Sequence, residues 1–391
     1  MDTHRRDFLR SAALATAPVF IPRKVWGAND RVTYGVIATG GRGRYLNNKF
    51  QSLGAQCAAL CDVYEPHLEM AVKDSPAAKT YVEYRELLER KDLDAVILAG
   101  PDHHHCPMML ESLSAGKDIY AEKPLSKTLD ESAKMVSAVR KSKQVVQIGM
   151  QRRSAQAIMK AKQLVDDGVL GFVSMVKPQW HWNVSRPLDN SPLPGKIDWT
   201  RFLGNAPKRP VTPMRFRRWR YFWDYAGGNM TDQGTHLMDV VQWFMKSGPP
   251  KSAVCYGYVG KMEGAEHPDV FSAVFEFEKF MATWTLDYSN SYENGWSITF
   301  MGDRGTMILD EKGYRVYAEP WKPENPPTHQ EDAPVPVEAH IQNFLDCIKS
   351  RKDPNCTVEI AQAAVAGPHL ANIALVKGRR MHLGGDMVKV S

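Results

Sequence analysis

The sequence predicts an α/β chain: a doubly wound parallel sheet, then an α+β region with a large, mostly antiparallel, open-faced sheet. Three observations carry this. Short apolar runs rich in β-formers alternate with helical stretches from Arg31 to Gly149, the pattern of a parallel sheet with crossover helices. The first of these runs leads into Ala38-Thr39-Gly40-Gly41-Arg42-Gly43 before a helical stretch begins, a turn suited to close backbone approach. From Ala253 to Tyr317, strand-like runs follow one another at hairpin spacing.

At 391 residues the chain exceeds one ordinary domain. The pattern changes at Gln151, which gives expected domains of 31–150 and 151–391. Charged residues make up 24% and hydrophobic ones 43%, as in ordinary globular proteins. The net charge of +6 is partly carried by Arg215, Arg217, Arg218 and Arg220, interleaved with Phe216, Trp219, Tyr221, Phe222 and Trp223. Such interleaving occurs in nucleic-acid binders. Here it reads as a packed loop whose arginines stack on rings, so no nucleic-acid partner is expected. The six cysteines lack metal-site spacing and sit largely in apolar runs, where cysteine acts as a small hydrophobe. No apolar run reaches the length of a membrane span.

Residues 1–30 are read as an export signal. Arg5-Arg6-Asp7-Phe8-Leu9-Arg10 precedes a short small-residue stretch, Ser11 to Ala17, and a small-residue site near Gly27-Ala28. Paired arginines before Phe-Leu resemble the twin-arginine signal, which exports proteins already folded. The expected destination is the periplasm.

Arg31 to Ile37 reads as a buried strand. In the turn after it, Gly40 lets backbone approach a pyrophosphate, and Gly43 lets the next helix, Arg44 to Leu53, pack on its strand. Helix amides then face the phosphates. A second strand, Gln56 to Cys61, ends at Asp62, about 20 residues past the last glycine, where a carboxylate bonds a ribose 2′-OH. That acid repels a 2′-phosphate, so NAD is expected rather than NADP. Helices are expected over Glu65 to Lys73 and Arg85 to Arg90, followed by an all-apolar strand up to Ala99. Pro101-Asp102-His103-His104-His105-Cys106 comes next. Consecutive residues point different ways and do not converge on one ion, so no metal is expected and the run is read as a strand-end loop. Met108 to Ala115 is helical, Ile119 to Ala121 is a strand, and Glu122-Lys123-Pro124 closes it. Proline bars the residue before it from the α region, so Lys123 is held extended or in a turn at the mouth of the fold. Ser126 to Lys143 is helical, and Val145 to Gly149 is the last strand of this half.

Beyond Gln151, a helix is expected over Ser154 to Asp167 and a strand over Val173 to Pro178. Gln179-Trp180-His181-Trp182-Asn183 opens an irregular, proline-rich run to Pro213. Irregular runs of that length inside a compact chain are usually functional. Its rings and polar groups suit sugar faces, with plain packing as the alternative. Further on, Leu237, Val240, Val241 and Phe244 give a helical apolar face. Asp232 and His236 are four residues apart and would share one face of that helix. A carboxylate beside an imidazole is a way to orient and tune a base. Pro320 to Pro336 reads as a linker, and Ala339 to Ser350 and Ile360 to Lys377 as the last helices.

Ala38 to Gly43, Asp62, Pro101 to His105, Ala115-Gly116-Lys117 and Glu122-Lys123-Pro124 come in the order of the Gfo/Idh/MocA oxidoreductases, and nearly all of the chain after residue 30 resembles that family. Ala38 replaces the family's usual first glycine, a small change. The resemblance implies a Rossmann domain, an α+β domain, and hydride transfer between a sugar or polyol carbon and a nicotinamide. It implies NAD held by Ala38, Thr39, Gly40, Gly41, Arg42, Gly43, Asp62, Pro101, His105, Glu122, Lys123 and Gln151. Lys123, Asp232 and His236 are the expected catalytic set. His236 would be the base, Lys123 the cation that steadies the alkoxide and bonds the cofactor ribose, and Asp232 the group that holds His236 or a neighbouring hydroxyl. Trp180 and His181 join those three as expected substrate contacts. The open sheet face implies a homo-oligomer, dimer or tetramer.

Export adds a constraint. The periplasm is not expected to hold free NAD, so the cofactor is expected to stay tightly bound and to be recycled. Oxidising one sugar while reducing another would do that. Transient oxidation that activates elimination of a glycosidic bond would also do it, as in NAD-dependent glycosidases among the relatives. A non-catalytic, cofactor-binding scaffold or sensor is the remaining class, and the intact Lys123, Asp232 and His236 set speaks against it.

Overall fold

The computed structural model describes residues 31–322 and 324–391. The expected export signal lies outside them.

The first half winds β1 (Thr33–Ile37), α1 (Gly41–Ser52), β2 (Gln56–Cys61), α2 (Glu65–Asp74), β3 (Lys79–Tyr81), α3 (Tyr84–Leu88), β4 (Ala95–Leu98), α4 (Asp102–Ser114), β5 (Asp118–Ala121), α5 (Leu129–Arg140) and β6 (Val146–Ile148). The strands order β3-β2-β1-β4-β5-β6, and every pairing is parallel. β4 and β5 are buried at every residue, as strands covered on both faces must be. The order reverses between β1 and β4, which opens a crevice beyond their carboxyl ends. The histidine run differs from expectation: His103, His104 and His105 lie in the first turn of α4. Pro101 stands just outside the helix as its N-terminal cap, and Pro107 lies within it. α5 starts later than expected because Thr128 caps it, accepting from the Glu131 amide, while Glu131 accepts from the Lys127 amide.

The second half begins with a 3₁₀ turn at Gln151–Ser154 and continues through α6 (Gln156–Asp166), β7 (Val173–His181), α7 (Trp199–Leu203), α8 (Pro213–Arg217), α9 (Gly228–Asp232) and α10 (Gly234–Met245). Strands β8 (Ser252–Tyr258), β9 (Val270–Glu276), β10 (Met281–Asp287), β11 (Gly295–Gly302), β12 (Gly305–Asp310), β13 (Gly313–Ala318) and β14 (His329–Asp332) follow, then α11 (Glu338–Ser350), α12 (Val358–Lys377) and β15 (Met381–His382). They form one sheet, β14-β13-β12-β11-β7-β10-β9-β8-β15. β7 pairs parallel with β10, and the other pairings are antiparallel. One face buries Val176, Trp180, Phe275, Trp284 and Phe300 in a core shared with α10 and α12. The other leaves Tyr256, Tyr258, Met281 and Met301 exposed. β14 lies within the segment read as a linker; its edge position and exposed residues hid it.

The last two helices return to the first sheet. Phe344 of α11 packs edge-on against Phe50 and Tyr120. Val358, Ala361 and Val365 of α12 join the core around Ile148, and Leu370, Ala371 and Ala374 join the core of the second sheet. Each large buried side chain in such a core contributes roughly 2–3 kcal/mol. The packing therefore crosses residue 150. No helix among the described residues is long and apolar enough to cross a membrane.

Candidate active site

β1 delivers the chain into the glycine-rich turn. Ala38 adopts φ 70° there, a left-handed conformation that costs a residue with a Cβ about 1–2 kcal/mol. Replacing glycine at this position is thus not the small change the sequence suggests. A Cβ on Gly43 would lie 2.0 Å from the Ala38 carbonyl oxygen, so the close approach of α1 to the turn requires glycine. Arg42 reaches out of the turn to Glu122 at the end of β5, Nη2 to Oε1 2.8 Å.

Asp62 is buried at the end of β2. Its carboxylate accepts from the Thr39 amide (2.7 Å) and the Tyr64 amide (2.9 Å). Thr39 Oγ1 and His67 Nδ1 also meet Oδ2, each at 3.3 Å, so of about four acceptor positions the open one is on Oδ1, which could take a ribose hydroxyl.

A cavity of about 790 Å³ runs along this edge, lined by Ala38, Gly40, Gly41, Arg42, Asp62 and Pro101 on one side. Its other side is the long irregular run, which supplies Leu193, Pro194 and Phe202, and the arginine-rich segment after it, which supplies Phe216 and Arg220. The size, the placement at the crossover and the glycine cradle fit a dinucleotide. The long run is therefore a strap over the nucleotide groove. It is fastened to β2 and α2 by Tyr64 Oη donating to the Pro194 carbonyl (2.5 Å), by the Glu65 amide donating to the Lys196 carbonyl (2.9 Å) and by the Asp198 amide donating to the Val63 carbonyl (2.8 Å). Arg201 clasps Asp198 and Glu83.

At the other end of the strap lies a cluster of charges. Lys123 Nζ donates to Asp232 Oδ1 (2.6 Å) and to the Asp232 carbonyl (3.0 Å). Arg220 Nε meets the same Oδ1 at 3.1 Å. Burial works to raise the Asp232 carboxyl, but Lys123 and Arg220 override it and hold it well below the usual range. Asp102 is buried nearby. Desolvation, and then the charge of Asp232, push its carboxyl up to about 7. His236 is held well below its ordinary value by burial, then by Arg152, Lys123 and Arg42. It is therefore a neutral imidazole, and its buried Nδ1 has no partner among the described residues.

Several expected residues fall elsewhere. Asp232 ends α9 and His236 stands in the first turn of α10, and Gln233 between them keeps a right-handed helical backbone (φ −88°, ψ −39°) with its amide bonded to the Asn229 carbonyl at 3.1 Å, but Asp232 turns its carboxylate to Lys123 and Arg220. His105 is buried, with Nδ1 2.7 Å from the Pro124 carbonyl and Nε2 2.9 Å from that of Gly100. It ties two loops together and does not line the cavity. His181 lies on the open face of β7, 3.0 Å from the Tyr292 carbonyl, in a hollow with Tyr256 and Tyr258. Trp180 points the opposite way, as neighbours on a strand must, and is buried beside Trp182. Gln151 sits in the 3₁₀ turn with its Oε1 buried and unpartnered. Arg220 and Asp102 were missed. Arg220 was hidden in an arginine-rich run; its neighbour Arg215 pairs with Asp224 and Glu266. Among the described residues no group of three or more His, Cys, Asp and Glu is placed to hold a metal ion.

A parallel sheet with a strapped nucleotide crevice, facing a second sheet across a Lys-Asp-Arg cluster, defines a dinucleotide-binding two-sheet protein. Residues 32–150 match the family described as "Oxidoreductase family, NAD-binding Rossmann fold", and residues 158–308 match the "GFO/IDH/MocA C-terminal domain". The chain belongs to the Gfo/Idh/MocA oxidoreductase family. It is 35% identical over 150 residues to an inositol 2-dehydrogenase/D-chiro-inositol 3-dehydrogenase of Lacticaseibacillus casei, covering 37% of this chain and 43% of the relative. It is 30% identical over 171 residues to a glycosyl hydrolase family 109 protein of Shewanella baltica, covering 36% and 37%. These matches span less than half of either relative. The fold resembles an aldose-aldose oxidoreductase from Caulobacter crescentus complexed with glycerol, with TM-score 0.70, 19% identity, and coverage of 90% of this chain and all of that one, 100%.

Proposed function

We propose that the protein is an NAD-dependent oxidoreductase acting on a CH–OH group of a sugar, polyol or glycoside, with a tightly held, recycled cofactor. The observation that carries this is the pairing of Lys123 with Asp232 at the crevice, beside a neutral buried histidine. Ala38, Gly40, Gly41, Arg42 and Asp62 would hold the dinucleotide, whose nicotinamide would supply a reversible hydride acceptor for the carbinol carbon. The chain's residues handle the proton and the orientation. The Lys123 ammonium steadies the substrate oxygen as its proton leaves. His236, kept neutral by burial and neighbouring cations, offers a lone pair to receive that proton. Asp232 fixes Lys123 from two sides. Arg42 and Glu122 brace the turn against the end of β5.

The strap over the groove supports a cofactor that does not leave between turnovers. Retention agrees with folded export to the periplasm by the twin-arginine route, which is part of this proposal, and with a homo-oligomer formed through the open sheet face. The likeness to an aldose-aldose oxidoreductase favours a cycle that oxidises one sugar and reduces another. The match to a glycosyl hydrolase family 109 protein favours the second reading, hydrolysis of a glycoside through transient oxidation and elimination. To test the proposal, the purified protein is incubated with sugars, polyols and glycosides while its bound nicotinamide is followed by absorbance. Reduction by a subset of them is expected; no response to any would refute an oxidoreductase role.

A further inference from the structure

Arg152 stands in the 3₁₀ turn after β6. It is 5% exposed, and its buried Nε and Nη1 have no hydrogen-bond partner among the described residues. Its guanidinium lies 4.1 Å from the ring centre of Trp296 and 5.7 Å from that of Trp180, two tryptophans that face each other across β11 and β7. The acids in its field are Asp239 and Glu311. Asp239 is taken by Arg153, Nη2 to Oδ1 2.8 Å, and Glu311 is exposed on the turn after β12. Among the described residues Arg152 makes no ion pair. A buried cation with unmade hydrogen bonds is costly, and such a group calls for an explanation.

The surroundings supply one. Trp180 meets Trp182 at 5.2 Å, Trp182 stacks on Tyr288 at 5.6 Å, and Tyr288 Oη accepts from Gln233 at 3.2 Å. This aromatic wall runs from Arg152 to the residue between Asp232 and the helix of His236. Gln151 Oε1, Trp180 Nε1 and His236 Nδ1 along it are also buried without partners. At the far end, Lys123 and Arg220 share the single carboxylate of Asp232. Asp102 stands near them and keeps its proton up to about pH 7, so the site holds more fixed positive than negative charge.

We propose that Arg152 is the anion-recognising residue of the substrate site and that the substrate is a sugar bearing a carboxylate. The stacked guanidinium keeps N–H groups on Nε and Nη1 free, each able to make a charge-assisted hydrogen bond to a carboxylate oxygen. This rests on the sugar oxidoreductase reading above and narrows it to acidic sugars.

The test compares matched pairs that differ only in charge, methyl glucuronide against methyl glucoside and methyl galacturonide against methyl galactoside. Binding to the cofactor-loaded protein is measured by calorimetry. The acid of at least one pair is expected to bind about tenfold or more tightly than its neutral partner. Arg152→Gln should bring that ratio close to one, and Arg152→Lys should keep part of it. A merely structural arginine would weaken both members alike. A wild-type ratio near one overturns the proposal without any variant, as does an unchanged ratio in Arg152→Gln. Nicotinamide reduction is followed in the same samples. Reduction by neutral sugars with no preference for acids overturns this inference alone. No reduction by any sugar overturns the oxidoreductase reading and this inference with it.

Discussion

Lys123 Nζ donates to both the side chain and the main-chain carbonyl of Asp232, at 2.6 and 3.0 Å. That double contact joins the end of β5 to the end of α9 and fixes where the ammonium points. Asp232 keeps Arg220 at 3.1 Å, so removing Lys123 does not leave the carboxylate alone. Lys123→Ala should therefore fold with a melting temperature close to wild type while turnover falls about 100-fold or more. Asp232→Ala, which strands two cations, should lose about 3 kcal/mol in chemical denaturation. Near-normal turnover in Lys123→Ala would remove the lysine from the chemistry.

Asp102 titrates in the neutral range. Its carboxyl is raised from 3.8 to about 7 by burial and by Asp232. The native state keeps a proton that the unfolded chain releases, so this group's contribution falls as pH rises from about 4 to 7. Asp102→Asn should be more stable than wild type at pH 8, and the gap should close towards pH 4. The variant should also lose an inflection near pH 7 from any pH–rate profile. Equal stabilities at pH 8 would contradict this.

Seven of the twelve histidines are buried and pushed below their ordinary value of 6.5, four of them (His104, His267, His340 and His369) to about 4 and the others being His103, His105 and His236. The unfolded chain binds these protons first. Stability is full above pH 6.5 and falls as pH drops towards 4, by up to about 1.4 kcal/mol per unit for each group. Asp102 opposes this in the same window, one group against seven. Urea midpoints at pH 7.5, 6 and 5 should fall steeply; a flat series would show these rings to be charged or exposed.

The strap should govern cofactor release. Arg201→Ala frees the clasp to Glu83, made at 3.0 Å, and Tyr64→Phe removes the hydroxyl bonded to Pro194. The double variant should lose bound nicotinamide on gel filtration about tenfold faster or more, as expected for two lost hydrogen bonds of about 1 kcal/mol each. An unchanged off-rate would place retention elsewhere.

Much of this was legible in the sequence because it is local. The glycine turn, Asp62 and Glu122-Lys123-Pro124 are each fixed by neighbours in the chain, so strand and helix periodicity placed them. Asp232 and His236 were found, but their partnership was not. The spacing of four sets them one helical turn apart, but it does not record Lys123 and Arg220, which take the Asp232 carboxylate. His181 and Trp180 are adjacent in sequence and opposite in space. Arg220, Asp102 and Arg152 owe their roles to tertiary neighbours, which no spacing records. The left-handed Ala38 was invisible because residue type alone does not reveal φ.

The central claim is that Lys123, Asp232 and His236 act on a sugar hydroxyl beside a retained nicotinamide. The most direct measurement takes the protein as purified, without added cofactor, and follows its nicotinamide absorbance on mixing with a panel of neutral and acidic sugars and glycosides. Wild type should carry the cofactor and show sugar-dependent reduction, and Lys123→Ala should carry it but respond about 100-fold more slowly or more. Purification without nicotinamide, or with nicotinamide that no sugar reduces, would contradict the account.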